Sequence, residues 1–510
     1  MRPQEQGTGL LIPRQSIAKS SGWVFAGTIV SKPIQLFTNV IFARLLGPAD
    51  YGVMGLATSM AVTLSLIASL GFGDAMTKFV AEHYRRDQER GARYSSIIIW
   101  TAVGFSGVLL ALLLASQRYW RHFLFPPEVS QSTIILCLCL AFLNLLFALL
   151  LGALAGLQLF KELTIVNFLQ AVAMAGLALF LAFYSTEGAL AAYVLGTGVA
   201  VCWGVLKLWR ISPRMLHLPK LGDLGDIKRV IYFSAPIWVG YFMLSPVVTY
   251  TYSFLARRPN GTFELGLFST AIGLRTIVTI LPGVVGIVIS PALIQEAGIH
   301  GKQMAYETLL KNSFLSLVFL TLPLLVLFAF TADFVFMVYG RAFGDAFRLF
   351  APLAGSAAIG AIGAPLVVVM TAKNRTWWSL GFGIIKSALL VLLALWWVPA
   401  HLSIGLAWAF VVSETCFYLI AIEFCIGVGI MPAGIRAVFY SACVGVGLVL
   451  LLAMFLPDMA RWIAAIPVSL LLAVLLLRGY PPLAAWLREC LPNPLRPRAE
   501  GILNFITSNA

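Results

Sequence analysis

A chain of 510 residues in which 60% are hydrophobic and only 11% are charged has too little polar surface to fold as a water-soluble protein. A mean hydropathy of +0.92 indicates that lipid surrounds most of the chain. The net charge of +14 would fit a nucleic-acid-binding protein, but no basic stretch interleaved with aromatic residues occurs outside the apolar runs, so we expect no nucleic-acid partner.

Apolar runs of about 20 residues, the length of helix that crosses a ~30 Å hydrocarbon core, recur along the chain. They predict an all-α polytopic membrane protein with about 14 transmembrane helices. The eleventh run also carries aromatic residues at both ends, Trp377-Trp378 and Trp396-Trp397, as expected at the two membrane interfaces. The predicted spans are residues 20–43, 51–74, 94–116, 132–157, 162–184, 188–209, 230–256, 264–290, 309–331, 346–371, 377–398, 402–424, 436–456 and 461–478.

Lysine and arginine are unevenly divided between the two sets of loops. The set that includes both termini holds 24 of the 35 basic residues, and the opposite set holds 8. By the positive-inside rule, both termini are predicted to be cytoplasmic. The seven cysteines and five histidines show no spacing typical of a disulfide framework or a metal site, so we expect neither a metal nor a cofactor.

The first two spans align with the seventh and eighth at an offset of 214 residues. The matches cluster at the outer turn, where Gly47 falls on Gly261 and Gly52 on Gly266. Both copies cross the membrane in the same direction, which is typical of transporters built from two lobes related by an axis along the membrane normal, with substrate bound between them. The predicted organisation is a cytoplasmic N-terminus (1–19), an N-lobe of six helices (20–209), a cytoplasmic inter-lobe loop (210–229), a C-lobe of six helices (230–424), two extra helices (436–478) and a cytoplasmic tail (479–510).

Three basic residues, Lys32, Arg275 and Lys386, lie deep inside predicted spans, and Glu414 is the carboxylate nearest mid-membrane. Lys386 and Glu414 are equally far from the turn between the eleventh and twelfth spans, so we expect them to face each other. They form either a structural ion pair or a site where a protonatable Glu414 couples transport to an ion.

Lys32 and Arg275 have no carboxylate in their own spans. An unpaired cation in the membrane costs at least ~2.5 kcal/mol on insertion scales. We therefore predict that Lys32 and Arg275 face a watery cleft between the lobes and bind a negatively charged substrate. The alternatives are a hydrogen-bond partner such as Asn39, or spans that are misplaced by one turn.

Four prolines lie within the spans that carry the repeat. Each removes a backbone donor and leaves a carbonyl unpaired, as happens where transporter helices are broken at a binding site, although ordinary kinks in membrane helices also contain proline. The predicted helix-break positions are Pro33, Pro236, Pro246 and Pro282.

Three N-terminal segments resemble a known family: "SSGWVFAG" at residues 20–27, "IFARLLGPADYGVMGLA" at 41–57 and "LGFGDAMTKFVAEH" at 70–83. They are similar to the opening helices of the polysaccharide-type flippases, members of the multidrug/oligosaccharidyl-lipid/polysaccharide exporter superfamily. The resemblance implies two six-helix lobes around a central cleft lined by the first, second, seventh and eighth helices. It also implies that Lys32 and Arg275, matched by helix and chemistry, meet the substrate's pyrophosphate.

The function implied by the resemblance is that of a non-enzymatic flippase in the bacterial inner membrane. It would move undecaprenyl-pyrophosphate-linked oligosaccharide from the cytoplasmic to the periplasmic leaflet, by alternating access, for O-antigen (lipopolysaccharide), capsule or exopolysaccharide synthesis. The polyprenyl tail would stay in membrane lipid, and polysaccharide polymerase and co-polymerase proteins are the implied partners.

Three alternatives remain from the sequence. A multidrug exporter of the same superfamily favours an acidic cleft, and a peptidoglycan-precursor flippase usually has several arginines near the start of its first helix. An O-antigen polymerase or glycosyltransferase needs a larger periplasmic loop than residues 116–131 provide.

Overall fold

The computed structural model of the protein describes residues 17–84, 87–182, 185–219, 225–298, 303–373 and 375–479. Most of the predicted N-terminal segment and nearly all of the predicted C-terminal tail lie outside these residues. Every regular element within the described ranges is helical, which confirms the predicted all-α fold.

The helices follow one another with short connections. Two short 3₁₀ helices, Pro213–Leu216 and Arg341–Ala346, lie between longer elements. The α-helices are α1 (Ile17–Ala68), α2 (Phe72–His83), α3 (Gln88–Ala115), α4 (Gln117–Leu124), α5 (Gln131–Gly156), α6 (Phe160–Leu181), α7 (Thr186–Ile211), α8 (Ile227–Ala256), α9 (Gly261–Gly298), α10 (Gln303–Phe330), α11 (Ala332–Tyr339), α12 (Phe347–Ala372), α13 (Thr376–Gly427), α14 (Gly434–Phe455) and α15 (Asp458–Gly479).

Eleven helices in the described part of the chain are long and apolar enough to cross a membrane. Two of them, α1 and α13, each contain two of the predicted spans, joined at a single non-helical residue: Gly47 (φ 75°) in α1 and Leu402 (φ 49°) in α13. Glycine adopts a positive φ without a Cβ clash, whereas Leu402 adopts it at a conformational cost. The last predicted span corresponds to α15, whose apolar stretch is Met459–Leu472.

The second span ends earlier than predicted. We expected helix through residue 74, but α1 ends at Ala68, and Leu70 and Gly71 both have positive φ before α2 begins at Phe72. A left-handed residue cannot continue a right-handed helix, so the chain turns there. Among the helices that the hydropathy did not predict, α4 and α11 lie on the opposite side of the predicted membrane from this turn.

Several helices within each predicted lobe pack on one another. In the N-lobe, α1 packs on α5 and α6, and α7 packs on both of those; in the C-lobe, α9 packs on α12, and α12 on α13. The C-terminal pair joins the C-lobe, with α14 and α15 both against α10. One buried apolar cluster runs through both lobes and their interface, and a second, which includes Phe72, Phe79 and Tyr94, lies mostly in the N-lobe.

The two lobes meet most extensively where α1 crosses α9, and the contact there is reciprocal. A Cβ placed on Gly52 would overlap Thr262 O, and one placed on Gly266 would overlap Pro48 O. Gly52 matches Gly266 in the repeat, and Pro48 matches Thr262, so the same backbone contact is made twice about a local two-fold axis. Both glycines are therefore needed for the helices to approach this closely.

Candidate functional site

A cavity of about 530 Å³ lies between the lobes. Its wall is formed by the second half of α1 together with Asn39 from the first half, by α8 and α9, and by one residue of α7. None of the described residues that line it is charged. The polar and aromatic residues of the lining are Asn39, Tyr51, Thr58, Ser59, Thr63, Tyr193, Tyr241, Ser245, Tyr252 and Ser269. We call this space the central cavity.

Hydroxyl groups join α1 to α8 along one wall of the central cavity. Thr63 Oγ1 lies 2.7 Å from both Ser245 Oγ and Thr249 Oγ1, and Ser59 Oγ lies 2.9 Å from Thr249 Oγ1. These residues occur at i and i+4 on both helices, so they share one face on each. The pairing satisfies the hydroxyls inside the membrane while leaving a polar surface next to the cavity.

The lobes also touch on either side of the central cavity. Toward the predicted cytoplasm, Trp238 Nε1 donates to Ile67 O at 2.8 Å, and Tyr241 Oη donates to Asp74 Oδ2 at 3.1 Å. Toward the predicted periplasm, the glycine contact described above is joined by Arg44, whose Nε donates to Val338 O at 2.6 Å. We call the contact on the predicted cytoplasmic side the inner contact, and it depends on the side chains of Trp238 and Tyr241. We call the contact on the predicted periplasmic side the outer contact, and most of it is made by backbone.

A second cavity, of about 220 Å³, lies inside the N-lobe among α1, α5, α6 and α7, and we call it the side chamber. It shares Asn39, Thr58, Val62 and Tyr193 with the central cavity, so the two spaces adjoin. Tyr193 Oη donates to Asn39 Oδ1 at 3.1 Å in the shared wall. The remaining lining is Gln35, Leu140, Asn144, Gln170, Met174 and Thr197.

Lys32 is exposed on α1, three residues before Gln35. Its Nζ donates to Gln35 Oε1 at 3.3 Å, so the ammonium lies at the edge of the side chamber. Residues 32, 35 and 39 lie at i, i+3 and i+7, which places the ammonium and two amides along one face of the helix. Lys32 is not itself in the lining of either cavity.

Arg275 is partly buried on α9, three residues after Ile272, which lines the central cavity. Its Nη1 donates to Ser356 Oγ at 3.3 Å, and its guanidinium lies 5.8 Å from the ring of Phe410. The structure thus places Lys32 beside the side chamber of the N-lobe and Arg275 near the central cavity in the C-lobe, and it does not bring the two predicted cations together within the lining of either cavity.

Lys386 and Glu414 face each other across the two halves of α13. Lys386 Nζ lies 2.5 Å from Glu414 Oε2, with 19% and 15% of the two side chains exposed. The ammonium also lies 5.3 Å from the ring of Phe417. On the other side of Glu414, Gly360 of α12 lets the carboxylate approach, because a Cβ there would lie 3.2 Å from Oε1.

The four prolines lie inside helices that continue past them. Pro236 and Pro246 are within α8, Pro33 is within the first half of α1, and Pro282 is buried within α9. None of these positions interrupts the helical assignment. Each still removes a hydrogen bond to the carbonyl four residues earlier.

Sequence reasoning did not identify the four cavity tyrosines or the hydroxyl cluster. Tyrosine, serine and threonine are common in membrane helices, and only the packed structure shows which of them share a cavity. Gln35 and Asn39 did give a signal, since two amides at i and i+4 in an apolar helix mark one polar face. Within the described residues, no group of three or more His, Cys, Asp or Glu side chains is placed to hold a metal ion.

Solved structures with a similar fold are membrane transporters. The chain superposes on a structure described as "Lipid II flippase MurJ, inward closed conformation" with a TM-score of 0.67 and 16% identity, covering 89% of this chain and 99% of that one. An inward-facing multidrug resistance MATE family transporter of the MOP superfamily gives a TM-score of 0.62 at 16% identity, covering 81% and 100%. An outward-facing MATE transporter of the same superfamily gives 0.54 at 16%, covering 82% and 97%.

These likenesses show that the chain has the fold of this transporter superfamily, as the N-terminal segments predicted. No curated protein matches the sequence. The family model described as "Polysaccharide biosynthesis protein" matches residues 17–296, which is more than half of the chain. The protein therefore belongs to the polysaccharide biosynthesis protein family.

Proposed function

We propose that the protein is a flippase that moves a polyprenyl-pyrophosphate-linked oligosaccharide from the cytoplasmic to the periplasmic leaflet of the bacterial inner membrane. The exported unit would serve O-antigen, capsule or exopolysaccharide synthesis, with polymerase and co-polymerase proteins as partners. The observation that carries this proposal is the central cavity, which lies between two repeat-related lobes and is lined by tyrosine, hydroxyl and amide side chains.

The cavity chemistry suits a sugar headgroup. Hydroxyl and amide groups both donate and accept hydrogen bonds, as sugar hydroxyls do, and tyrosine adds an apolar face with a polar tip. A cationic drug would favour a carboxylate, and the described residues that line the two cavities include none. A multidrug exporter is therefore the less favoured candidate.

Lys32 and Arg275 are the proposed contacts for the pyrophosphate. Lys32 is exposed at the edge of the side chamber, and the hydrogen-bond partner found for it among the described residues is a neutral amide, so the ammonium is available to an anion. Arg275 makes a neutral hydrogen bond and a ring contact, and it would exchange Ser356 for phosphate oxygens when the lobes move. A charged hydrogen bond contributes about 1.5–3 kcal/mol, which is roughly 10–150-fold in affinity.

Alternating access follows from the two sets of lobe contacts. Opening the inner contact would admit the headgroup from the cytoplasm while the polyprenyl tail remains in lipid. Closing it and opening the outer contact would release the headgroup to the periplasm, and no bond is broken. We propose that the ion pair of Lys386 and Glu414 keeps the two halves of α13 in register during this movement.

The test is translocation of a fluorescent undecaprenyl-diphosphate oligosaccharide in proteoliposomes. Lys32→Ala should lower flux at limiting substrate at least tenfold, Lys32→Arg should retain most of it, and Lys228→Ala, at an exposed lysine in the first turn of α8, is the matched control. Equal flux in the Lys32→Ala and Lys228→Ala variants would refute a role for Lys32. No translocation by the wild-type protein would refute the function.

A further inference from the structure

We propose that the side chamber is a subsite for one uncharged sugar ring of the transported headgroup, which it recognises through hydroxyl and acetamido groups. This inference rests on the proposed function, because it takes the cargo to be a glycolipid. It assigns a function to this N-lobe cavity, which neither the proposed pyrophosphate contacts nor the central cavity explains.

The chemistry of the chamber wall selects the ligand class. Among the described residues, seven polar side chains line it and no charged one does: Gln35, Asn39, Thr58, Asn144, Gln170, Tyr193 and Thr197. A metal-ion site would need carboxylates, and an anion site would need arginine, lysine or a helix N-terminus. Amides and hydroxyls instead present donors and acceptors together, which is the pattern that sugar hydroxyl and acetamido groups complement.

The wall also keeps hydrogen-bonding capacity free for a ligand. Gln170 Nε2 donates to Thr197 Oγ1 at 3.1 Å, and Tyr193 Oη donates to Asn39 Oδ1 at 3.1 Å. Gln35 Oε1 accepts from Lys32 Nζ at 3.3 Å, so three of the four amides make one hydrogen bond each. Among the described residues, no hydrogen bond is found for the Asn144 side chain. Polar groups at membrane depth are costly unless they are satisfied, so an amide pointing toward a cavity marks a site for water or ligand.

The position of the chamber fits the sugar nearest the pyrophosphate. Lys32 Nζ is hydrogen-bonded to Gln35, a chamber residue, so a phosphate on Lys32 would place the attached sugar at the chamber edge. The volume of about 220 Å³ is smaller than the roughly 300–1,000 Å³ of typical small-molecule sites, which favours a single ring over a longer chain. The central cavity, which adjoins the chamber, would hold the later sugars.

The test measures equilibrium binding of two probes to the full-length protein in lipid nanodiscs: undecaprenyl diphosphate and undecaprenyl-diphosphate N-acetylglucosamine. The test variants are Asn144→Leu and Asn144→Leu/Gln170→Leu. Asn167→Leu is the matched control, because it removes an amide from α6 that is outside the chamber lining and donates to Leu163 O of its own helix at 3.0 Å. A thermal melt of each variant checks folding, and the single variant keeps the test decisive when the double variant is unstable.

We expect the wild type to bind the sugar-bearing probe more tightly than the sugar-free one. The double variant should lose roughly tenfold in affinity for the sugar-bearing probe and none for the sugar-free probe, while the control behaves as wild type. Unchanged or equally lowered affinities for both probes would overturn the subsite and leave the flippase proposal intact. Failure of the wild type to bind either probe would overturn the proposed function, and the subsite with it.

Discussion

The glycine contact between α1 and α9 leads to a sharp prediction for Gly266→Ala. The added Cβ would overlap Pro48 O and lie 2.7 Å from Pro48 C, whereas real Cβ atoms essentially never come within 3.0 Å of another heavy atom. Backbone cannot move aside as a flexible side chain does, so the two helices must separate by roughly 1 Å. Overpacking of this kind costs about 1–3 kcal/mol. We expect the lobe contact on the predicted periplasmic side to weaken by that amount.

Two assays report the effect. Gly266→Ala should lower the melting temperature in detergent, and it should speed labelling of Thr58→Cys, in the central cavity, by an impermeant maleimide added from the periplasmic side of spheroplasts. The labelling background replaces the seven native cysteines. Gly283→Ala is the matched control in the same helix, because a Cβ there meets nothing within 4 Å and alanine is the better helix former by about 0.5–1 kcal/mol.

The symmetry of the contact adds a second check. Gly52→Ala should match Gly266→Ala in both assays, since each glycine faces the other copy's backbone in the same way. The reasoning is refuted when Gly266→Ala melts and labels like Gly283→Ala. A wide difference between Gly52→Ala and Gly266→Ala in melting temperature or labelling rate would also refute it, because the two glycine contacts would then contribute unequally to stability.

Two other buried interactions give predictions. Glu414→Gln leaves the Lys386 ammonium without its counter-ion and should destabilise the protein by about 3–5 kcal/mol. Lys386→Met combined with Glu414→Leu should recover most of that loss in thermal unfolding. A double variant as unstable as the single one would contradict a structural ion pair. Thr63→Val leaves Ser245 and Thr249 short of a partner and should cost about 1–3 kcal/mol, while Thr63→Ser should melt like wild type. Equal melting of the two Thr63 variants would show that the hydroxyl cluster adds little.

Much of the fold could be predicted from the sequence because the membrane imposes a length on each apolar run. The span between Gln131 and Gly156, for example, is continuous and apolar, and its helix lies within a residue of its predicted bounds. Helix continuity was less predictable. Whether two spans form separate helices or one kinked helix depended on a single backbone conformation at Gly47 and at Leu402, which hydropathy does not report.

The candidate site was predictable only in part, for a related reason. A lysine in an apolar run stands out in the sequence, so Lys32 could be singled out as a candidate, and its role in binding stays a prediction. Tyr51 and Tyr252 do not stand out, since tyrosine also packs in cores, and their place in the cavity wall depends on how α1 and α8 meet. The offset of 214 residues predicted that the lobes are related. That Gly52 and Gly266 contact the backbone of the opposite lobe became evident only from the packed structure.

The two sides of the lobe interface are held by different kinds of contact, so they differ in the free energy needed to open them. The inner contact rests on the hydrogen bonds of Trp238 and Tyr241, each contributing about 0.5–1.5 kcal/mol, or up to about 3 kcal/mol for the bond to a carboxylate. The outer contact joins backbone at Gly52 and Gly266 and must separate over a whole stretch of helix at once. A ligand shifts such an equilibrium only by its differential affinity for the two states. We therefore expect the inner contact to open first, because breaking it requires a smaller shift than the outer contact does.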